Sequence, residues 1–339
     1  MEARDLVLDG LARRRTGYSL PREFYNSPEI FRLDLETIWY REWLFAGHTC
    51  ELPKVGSYLV FEVGDHSVII VRDGAKRIRA FHNTCRHRGS RICTAAKGTT
   101  ARLVCPYHQW TYELDGRLLW ARDMGPDFDA SAFGLKPVHC ETVAGYIFVC
   151  LSPVAPSFAP VRETVEPFLA PQTLEKAKVA HETSIVERGN WKLVWENNRE
   201  CYHCAGTHPE LARTFPDTPH HADPEKQKGD PDFEALRASC AAQGLPTGFE
   251  ASADWQYRVT RLPLMKGAES YTMSGRPAVR RPLSDDARQG PVGALLFYHY
   301  PGTWNHVLID HAVTFRMIPI GPQETLVTTK WLVHKDARE

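Results

Sequence analysis

Two short pairs of cysteine and histidine constrain this 339-residue chain more than any other feature of its sequence. Residues 85–87 read Cys-Arg-His and residues 105–108 read Cys-Pro-Tyr-His, with seventeen residues between the two pairs. Turn-forming residues such as Gly89 lie beside them, so each pair is expected to form a loop that presents one thiol and one imidazole. Two thiolates and two imidazoles from two loops are typical of a metal centre. They suit either one structural zinc ion or a [2Fe-2S] cluster with both histidines on one iron.

The composition fits a globular protein of about two domains. Hydrophobic residues make up 43% of the chain and charged residues 24%, which excludes long disorder and a coiled-coil rod. The 41 basic residues balance the 41 acidic ones without a sustained basic block, so we predict no nucleic-acid partner. No apolar stretch approaches the ~20 residues of a membrane-spanning helix, and the N-terminus lacks the apolar core of a secretory signal. We therefore predict a cytoplasmic protein that binds no membrane.

Hydrophobic periodicity divides the chain into three parts. Residues 1–45 predict a helical segment that packs on the C-terminal domain, and residues 46–155 alternate with period two and predict a small all-β domain. Residues 156–339 predict a second domain with a helix from 191 to about 205 and long strands at 177–187, 294–300, 305–319 and 325–333. Residues 216–246, rich in proline and charge, are expected to form an irregular excursion. Long antiparallel strands with a helix on one face indicate an α+β fold.

Residues 190–209 carry a second set of metal-binding side chains. Glu200 and His203 are three residues apart and would share one face of a helix. His208 lies five residues beyond His203, so the helix must bulge or unwind near Gly206 if both imidazoles bind one metal. Two imidazoles and a carboxylate leave open positions on ferrous iron, as in oxygen-activating enzymes. Taken alone, however, the same histidines fit ordinary polar residues at a helix end.

Both segments resemble those of Rieske non-haem iron oxygenases. Residues 81–89 (Phe-His-Asn-Thr-Cys-Arg-His-Arg-Gly) and 105–110 (Cys-Pro-Tyr-His-Gln-Trp) resemble the two cluster loops, and residues 190–209 resemble the mononuclear iron segment of the α-subunits. The resemblance implies four ligands of a Rieske [2Fe-2S] cluster: Cys85 and Cys105 on one iron, His87 and His108 on the other. Trp110 and Tyr112 are interpreted as packing residues beneath the cluster.

The resemblance also implies roles around the mononuclear iron. His203 and His208 are implied as iron ligands, and Glu200 as the bridge that carries electrons to His203 from His108 of a neighbouring subunit. The family draws its third ligand, a carboxylate, from a helix after the last strands. We therefore expect that ligand beyond residue 339, in a chain that is C-terminally truncated and holds this iron weakly. Asp310 and Asp336 are the nearest substitutes, and Asp310, expected in mid-strand, is interpreted as structural.

Glutamate at the bridge, where many members have aspartate, indicates a particular subgroup. The string Glu196-Asn-Asn-Arg-Glu-Cys-Tyr-His-Cys resembles members that oxidise quaternary ammonium compounds, and this resemblance covers nearly the whole chain. It implies an all-β Rieske domain, a catalytic domain of the helix-grip type and a head-to-tail homotrimer. A separate flavin and iron-sulfur reductase would supply electrons from NAD(P)H. With O2, an N-methyl group would leave as formaldehyde, from glycine betaine first, or from stachydrine, choline or carnitine.

A trimethylammonium group has no hydrogen-bond donor, so its site is expected to use aromatic faces. The candidates in the second half of the chain are Trp255, Tyr257, Tyr271, Phe297, Tyr298, Tyr300 and Trp304. A substrate carboxylate requires an arginine or a polar cluster, and the sequence singles out neither. Two other classes of protein stay open: a Rieske electron carrier without oxygenase chemistry, and a zinc-binding structural protein.

Overall fold

The computed structural model describes residues 3–200, 202–215, 225–265, 267–285 and 291–338. These residues form two compact units. The β unit comprises Tyr40–Thr142 and Tyr146–Pro156, and the mixed unit comprises the chain up to Trp39, Val143–Gly145 and the chain from Ser157 onward. Antiparallel sheets and helices together confirm the α+β prediction.

The β unit consists of short antiparallel strands with alternating burial. Its strands are β1 (Leu44–His48), β2 (Ser57–Val63), β3 (His66–Arg72), β4 (Ile78–His82), β5 (Lys97–Thr99), β6 (Leu103–Val104), β7 (Thr111–Tyr112), β8 (Leu118–Trp120), β9 (Pro137–Val143) and β10 (Tyr146–Cys150). Among the described residues, the larger sheet has the order β1-β10-β9-β4-β3-β2-β5, and β6-β7-β8 form a small one. Alternate residues of β2, such as Phe61 and Val63, are buried, as expected for a strand with one face on the core.

The mixed unit combines one long sheet with several helices. Its helices are α1 (Ala3–Ala12), α2 (Glu23–Asn26), α3 (Pro28–Asp34), α4 (Ala159–Leu169), α5 (Trp191–Arg199), α6 (Cys204–Thr207) and α7 (Pro231–Ala241). Its strands are β11 (Ala177–Glu187), β12 (Gly248–Ala251), β13 (Tyr257–Leu262), β14 (Ala294–His299), β15 (Thr303–Val307), β16 (His311–Gly321) and β17 (Glu324–His334). In the described part of the chain the sheet order is β11-β17-β16-β15-β14-β13-β12. None of the described helices has the length and apolar character needed to cross a bilayer.

The N-terminal helices pack against α5 within the mixed unit. Trp39, at the end of a π-helical turn (Leu35–Trp39), is fully buried, and its ring meets that of Trp191 edge-on with 5.4 Å between centroids. Asp34 forms an ion pair with Lys192 and accepts a hydrogen bond from Trp191 Nε1 at 3.1 Å. These buried contacts fix the start of α5, the helix that leads to the predicted iron ligands.

Two expected elements of this unit are wrong. The single strand predicted over 305–319 is two strands, because Leu308 N–H donates to His311 O at 2.8 Å and closes a tight turn that contains Asp310. The excursion predicted over 216–246 contains helix α7, which Asp230 caps by accepting the amide N–H of Asp232 at 2.9 Å. An aspartate followed by Pro231 at the first helical position is a sequence signal for that helix. Residues 216–224 lie outside the described residues.

Candidate metal centres

The two loops that carry the predicted cluster ligands have the same backbone hydrogen bonds. In the first loop, Cys85 N–H donates to Ser90 O at 2.8 Å and Gly89 N–H donates to Cys85 O at 3.0 Å. In the second, Cys105 N–H donates to Trp110 O at 2.9 Å and Gln109 N–H donates to Cys105 O at 3.0 Å. The two loops are therefore equivalent, although one residue separates cysteine from histidine in the first and two in the second.

The fourth residue after each cysteine has a left-handed backbone. Gly89 has φ 77° and Gln109 has φ 60°. Glycine adopts this conformation without cost, whereas a residue with a side chain does so at a cost that folded proteins accept mainly at functional sites. Gln109 thus gives the second loop the same backbone shape that Gly89 gives the first.

The loops place the thiols inside the β unit and the imidazoles at its surface. Cys85 and Cys105 are 3% and 2% exposed, and both belong to a core cluster that includes Trp110. His87 is exposed and stacks on Trp110 with 4.9 Å between ring centroids, and the centroid of His108 lies 4.8 Å from that of His87. A metal group held here would have its sulfur-bound side shielded and its imidazole-bound side open to a partner.

Tyr112 does more than the packing role predicted for it. Its side chain is fully buried in the same core, but its hydroxyl accepts the Arg86 amide N–H at 3.0 Å and lies 3.3 Å from Cys85 Sγ. Because the hydroxyl oxygen accepts from Arg86, its own proton is free to point at the sulfur. Burial raises the pKa of the Cys85 thiol in the protein alone, and the Tyr112 hydrogen bond acts in the opposite direction.

The arrangement of donors favours a cluster over a single zinc ion. A structural zinc would need four side chains converging on one point. A [2Fe-2S] cluster needs only two protein ligands on each iron. The buried thiol pair and the more accessible imidazole pair, with His87 exposed and His108 half-buried, fit that requirement.

The predicted iron-binding histidines flank a helix of one turn. Helix α5 is capped at its N-terminus by Asn190, whose side chain accepts the Lys192 amide N–H at 3.0 Å, and it ends at Arg199 rather than near residue 205. Glu200 is extended, with φ −123° and ψ 146°. Helix α6 then runs between His203 and His208, and their ring centroids are 5.3 Å apart.

The break needed to bring both imidazoles together therefore precedes His203, and the expected break near Gly206 is wrong. Gly206 lies inside α6. Asn197 and Asn198 near the end of α5 are poor helix formers because their side chains compete for backbone hydrogen bonds. Cys201 lies outside the described residues.

Glu200 lies beside His203 despite the break in the helix. Its Oε1 is 3.8 Å from His203 Nδ1, and its side chain is 60% exposed. His203 Nδ1 itself is buried without a hydrogen bond in the described structure. The carboxylate is thus close enough to orient the imidazole through a small side-chain movement, and exposed enough to reach a second group.

The two carboxylates considered as substitute ligands do not join the histidines. Asp310 lies in the turn after β15, not in mid-strand, and its buried carboxylate accepts Ser270 Oγ–H and the Ala278 amide N–H, both at 2.6 Å. Asp336 is 58% exposed, with its carboxylate 3.8 Å from His334 Nδ1. The structure thus places Asp310 in a structural network, and the third iron ligand stays a prediction.

Comparison with known proteins decides the family. The model for the Rieske [2Fe-2S] domain matches residues 42–141, and the model for the ring hydroxylating alpha subunit (catalytic domain) matches residues 174–339. The glycine betaine monooxygenase oxygenase subunit of Chromohalobacter salexigens is 49% identical, over 99% of this chain and 76% of that relative. The chain belongs to the Rieske oxygenase family.

Further relatives of this Rieske oxygenase agree with that assignment. The glycine betaine monooxygenase oxygenase subunit of Pseudomonas aeruginosa (strain UCBPP-PA14) is 45% identical, over 99% of this chain and 79% of the relative. A solved structure of a quaternary ammonium Rieske monooxygenase, described in terms of carnitine oxidation and inter-subunit electron transfer, has a TM-score of 0.69 at 21% identity. It covers 98% of this chain and 80% of that chain. The predicted cofactors, a Rieske [2Fe-2S] cluster and a mononuclear iron, are those of this family.

The sheet of this Rieske oxygenase gathers some of the aromatic candidates and separates others. Strand register pairs Tyr298 with Trp304 and Trp304 with Phe315 on one face. The ring of Trp195 in α5 lies over this face, 5.7 Å from Tyr300 and 6.3 Å from Trp304 between centroids. Of the remaining candidates, Tyr271 meets Phe215 and His306, and His306 is two residues beyond Trp304 on the same face of β15. Tyr257 and Phe297 have the opposite strand parity, and Trp255, outside the strands, packs on Phe249.

Sequence reasoning missed two arginines beside this aromatic face. Arg258 lies over the ring of Tyr298, with 4.1 Å from its guanidinium carbon to the centroid. Burial and the nearby positive charge of Arg258 lower the pKa of Arg199. Neither arginine has an ion-pair partner in the described part of the chain. The signal for Arg199 was present in the sequence, since it follows the buried Trp191 and Trp195 at four-residue spacing on one helix face.

Proposed function

We propose that this chain is the oxygenase component of a two-component Rieske monooxygenase that removes an N-methyl group from a quaternary ammonium compound, with glycine betaine as the first substrate. The observation that carries the proposal is 49% identity over nearly the whole chain to a glycine betaine monooxygenase oxygenase subunit. Stachydrine, choline and carnitine are the alternative substrates.

The proposed cluster ligands belong to the β unit, and the proposed iron ligands belong to the mixed unit. Cys85 and Cys105 bind one side of the cluster within the core, and His87 and His108 bind the other side at the surface. His203 and His208 hold the mononuclear iron. When bound, the cluster supplies single electrons and the iron activates O2. The protein positions these groups, and the oxidising power belongs to the metals.

Glu200 is proposed to connect centres that belong to different subunits. The imidazoles of His87 and His108 are near the surface of their unit, and the Glu200 carboxylate is 60% exposed. A surface imidazole and a surface carboxylate can meet across an interface. We propose a head-to-tail ring, a homotrimer, in which Glu200 hydrogen-bonds His203 of its own chain and His108 of the next.

Aromatic rings support a quaternary ammonium substrate. A methylated cation is held by ring faces, each contributing about 0.5–2 kcal/mol. The side of the sheet that faces α5 presents Tyr298, Tyr300, Trp304 and Phe315, together with Trp195 from the helix. This supports a cation site near the segment that carries His203 and His208.

The test is formaldehyde release by the purified protein with NAD(P)H, a flavin and iron-sulfur reductase and O2. We expect release with glycine betaine, and slower release with stachydrine, choline and carnitine. An EPR spectrum of the reduced protein shows first whether a cluster is bound. Zinc is silent in EPR and gives no colour, so a colourless protein without labile sulfide would sink the proposal.

A second outcome would support an electron carrier instead. In that case the cluster accepts electrons from the reductase, but none of the four amines increases O2 consumption or releases formaldehyde. The imidazole pair near the surface of the β unit fits either protein, so only the substrate-dependent reaction separates them.

A further inference from the structure

His306 lies inside a group of aromatic rings on the face of the sheet that carries Trp304. It is partly buried on β15, in register with Leu296 and Val313. Its ring centroid is 5.6 Å from that of Tyr271, 6.0 Å from Phe215 and 6.2 Å from Phe315. Phe215 follows the proposed iron ligand His208 by seven residues. These three rings and the imidazole form what we term the His306 cage.

The imidazole of His306 has no hydrogen-bond partner among the residues that the structure describes. Its Nδ1 is fully buried and unpaired. Leaving a buried polar atom unpaired is destabilising, and native proteins rarely keep such an atom without a reason. A histidine used only for packing would be replaced by a leucine or phenylalanine at a gain in stability. The unpaired Nδ1 of His306 is therefore available to a ligand.

The electrostatics of the cage favour a zwitterion over a simple cation or anion. Burial lowers the pKa of His306 to about 4, with the nearby His311 acting in the same direction. Asp310 lies 3.0 Å from His311 Nδ1 and balances that neighbour. A neutral imidazole does not repel an ammonium group, and it still carries one N–H donor. Ring faces attract a methylated cation, whereas the rings offer nothing to a carboxylate.

We propose that His306 donates its imidazole N–H to the carboxylate of the zwitterionic substrate while Phe215, Tyr271 and Phe315 face the quaternary ammonium group. This inference rests on the proposed function and names the residue that selects a betaine among quaternary amines. In glycine betaine one methylene separates the ammonium from the carboxylate, so a donor set among the rings reaches the second group while the rings hold the first. A hydrogen bond to an ionised carboxylate is stronger than one between neutral groups.

The experiment compares two ligands that share a cationic head and differ in the carboxylate. Calorimetry measures the binding of glycine betaine and of tetramethylammonium to the intact protein. The variants are His306→Phe, which keeps a ring, and His306→Asn, which keeps an N–H donor. His181→Phe is the matched control, because His181 is an exposed histidine on β11 of the same sheet. Thermal unfolding verifies that each variant is folded.

We expect His306→Phe to weaken glycine betaine binding roughly 10- to 100-fold, as for the loss of one hydrogen bond to a charged group. Tetramethylammonium binding should change by less than about threefold, because the ring faces are retained. His306→Asn should fall between His306→Phe and the wild type for glycine betaine, and His181→Phe should match the wild type.

Three results would overturn the role of His306. The first is an equal loss of affinity for glycine betaine and tetramethylammonium in His306→Phe. The second is no loss of affinity for either ligand in that variant. The third is a preference for glycine betaine over tetramethylammonium that disappears in Arg258→Gln but survives in His306→Phe. Formaldehyde release by the wild type keeps this test apart from the proposed function. A wild type that demethylates none of the amines refutes the function, whereas one that demethylates glycine betaine while His306→Phe binds it normally refutes only this inference.

Discussion

The Tyr112 hydroxyl sets the environment of one proposed cluster ligand. It lies 3.3 Å from Cys85 Sγ, and a donor near a ligand sulfur stabilises the more negative, reduced state of a cluster. Tyr112→Phe should lower the reduction potential by about 60 mV, which corresponds to about 1.4 kcal/mol for a one-electron couple. An EPR-monitored redox titration measures it.

Tyr58→Phe serves as the control for this change, since Tyr58 packs against the same core but has no hydrogen bond to a ligand in the described structure. Its potential should equal that of the wild type. Equal shifts in both variants would mean that the potential follows core packing rather than the hydroxyl.

Glu200 is the residue whose charge matters most for turnover in the proposed reaction. Glu200→Gln keeps the size of the side chain but removes the charge that accepts hydrogen bonds from two imidazoles. Formaldehyde release should fall more than about tenfold, equivalent to about 1.4 kcal/mol of transition-state stabilisation, while the reductase still reduces the cluster.

Glu196→Gln is the comparison, because Glu196 lies four residues away on α5 and accepts a hydrogen bond from Tyr25 at 3.1 Å instead. It should retain normal turnover. A Glu200→Gln protein with an unimpaired rate would remove the bridge from the mechanism.

At this scale, the sequence could predict side chains that share a local motif but not those that meet across the fold. Cys85 and His87 are recognisable because they are two residues apart. Tyr112 contacts Cys85 although 27 residues separate them in the sequence. Phe215 contacts His306 although the whole of α7 lies between them in the sequence. Such pairs follow from tertiary packing, which no local spacing encodes. The ligand and bridge assignments themselves stay predictions.

Among the elements, α5 depends on one buried ion pair. Lys192 Nζ bonds the Asp34 carboxylate and donates to Phe24 O at 3.1 Å, with the two charged side chains only 11% and 9% exposed. Lys192→Met leaves Asp34 buried and uncompensated, which should lower the free energy of unfolding by about 3–5 kcal/mol. Denaturant unfolding measures the loss.

The double variant Asp34→Asn/Lys192→Met separates charge from packing. It removes both charges and keeps an acceptor for Trp191 Nε1, so it should be more stable than Lys192→Met alone. A double variant less stable than either single one would show that the ion pair contributes little and that shape dominates.

The periodicity of the sequence predicted which segments are helices and which are strands, but it did not predict where they end. The alternation of β2 and the four-residue spacing of Trp191 and Trp195 predicted a strand and a helix correctly. The end of α5 at Arg199 and the turn at Asp310 depend on hydrogen bonds made after the elements pack. The first of these errors falls beside the candidate iron site, where the backbone departs from regular structure to serve side chains.

At the scale of the whole molecule, the proposed ring predicts complementation between inactive chains. Cys105→Ser removes the cluster and Glu200→Gln removes the bridge, so each variant alone should be inactive. In a co-expressed mixture, an intact cluster meets an intact Glu200 at about a quarter of head-to-tail interfaces. Formaldehyde release should therefore recover to about that fraction of the wild-type rate.

The control mixes two variants with the same defect, Cys105→Ser and Cys85→Ser, which should stay inactive. No recovery in the first mixture, from a complex shown to contain both chains, would place electron transfer within single chains and refute the inter-subunit bridge.

The α+β class could be predicted from the sequence because period-two and helical patterns occupy different stretches of chain. The sequence could not predict that a short segment within the β region of the chain belongs to the mixed unit. Val143–Gly145 belongs with the mixed unit although both neighbouring stretches belong to the β unit, because Gly145 approaches Leu174 so closely that a Cβ there would lie 2.9 Å from the Leu174 Cβ. That contact has no local sequence signature.

The packing of Trp39 on Trp191 has a consequence for biosynthesis. A ribosome adds about 5–20 residues per second, so Trp191 emerges roughly eight to thirty seconds after Trp39. During that interval the first helices have nothing to cover their apolar side, while the strands between them are already able to pair. Nascent chains of this protein should therefore bind chaperones through their N-terminal helices. The chaperones should dissociate when α5 has been synthesised.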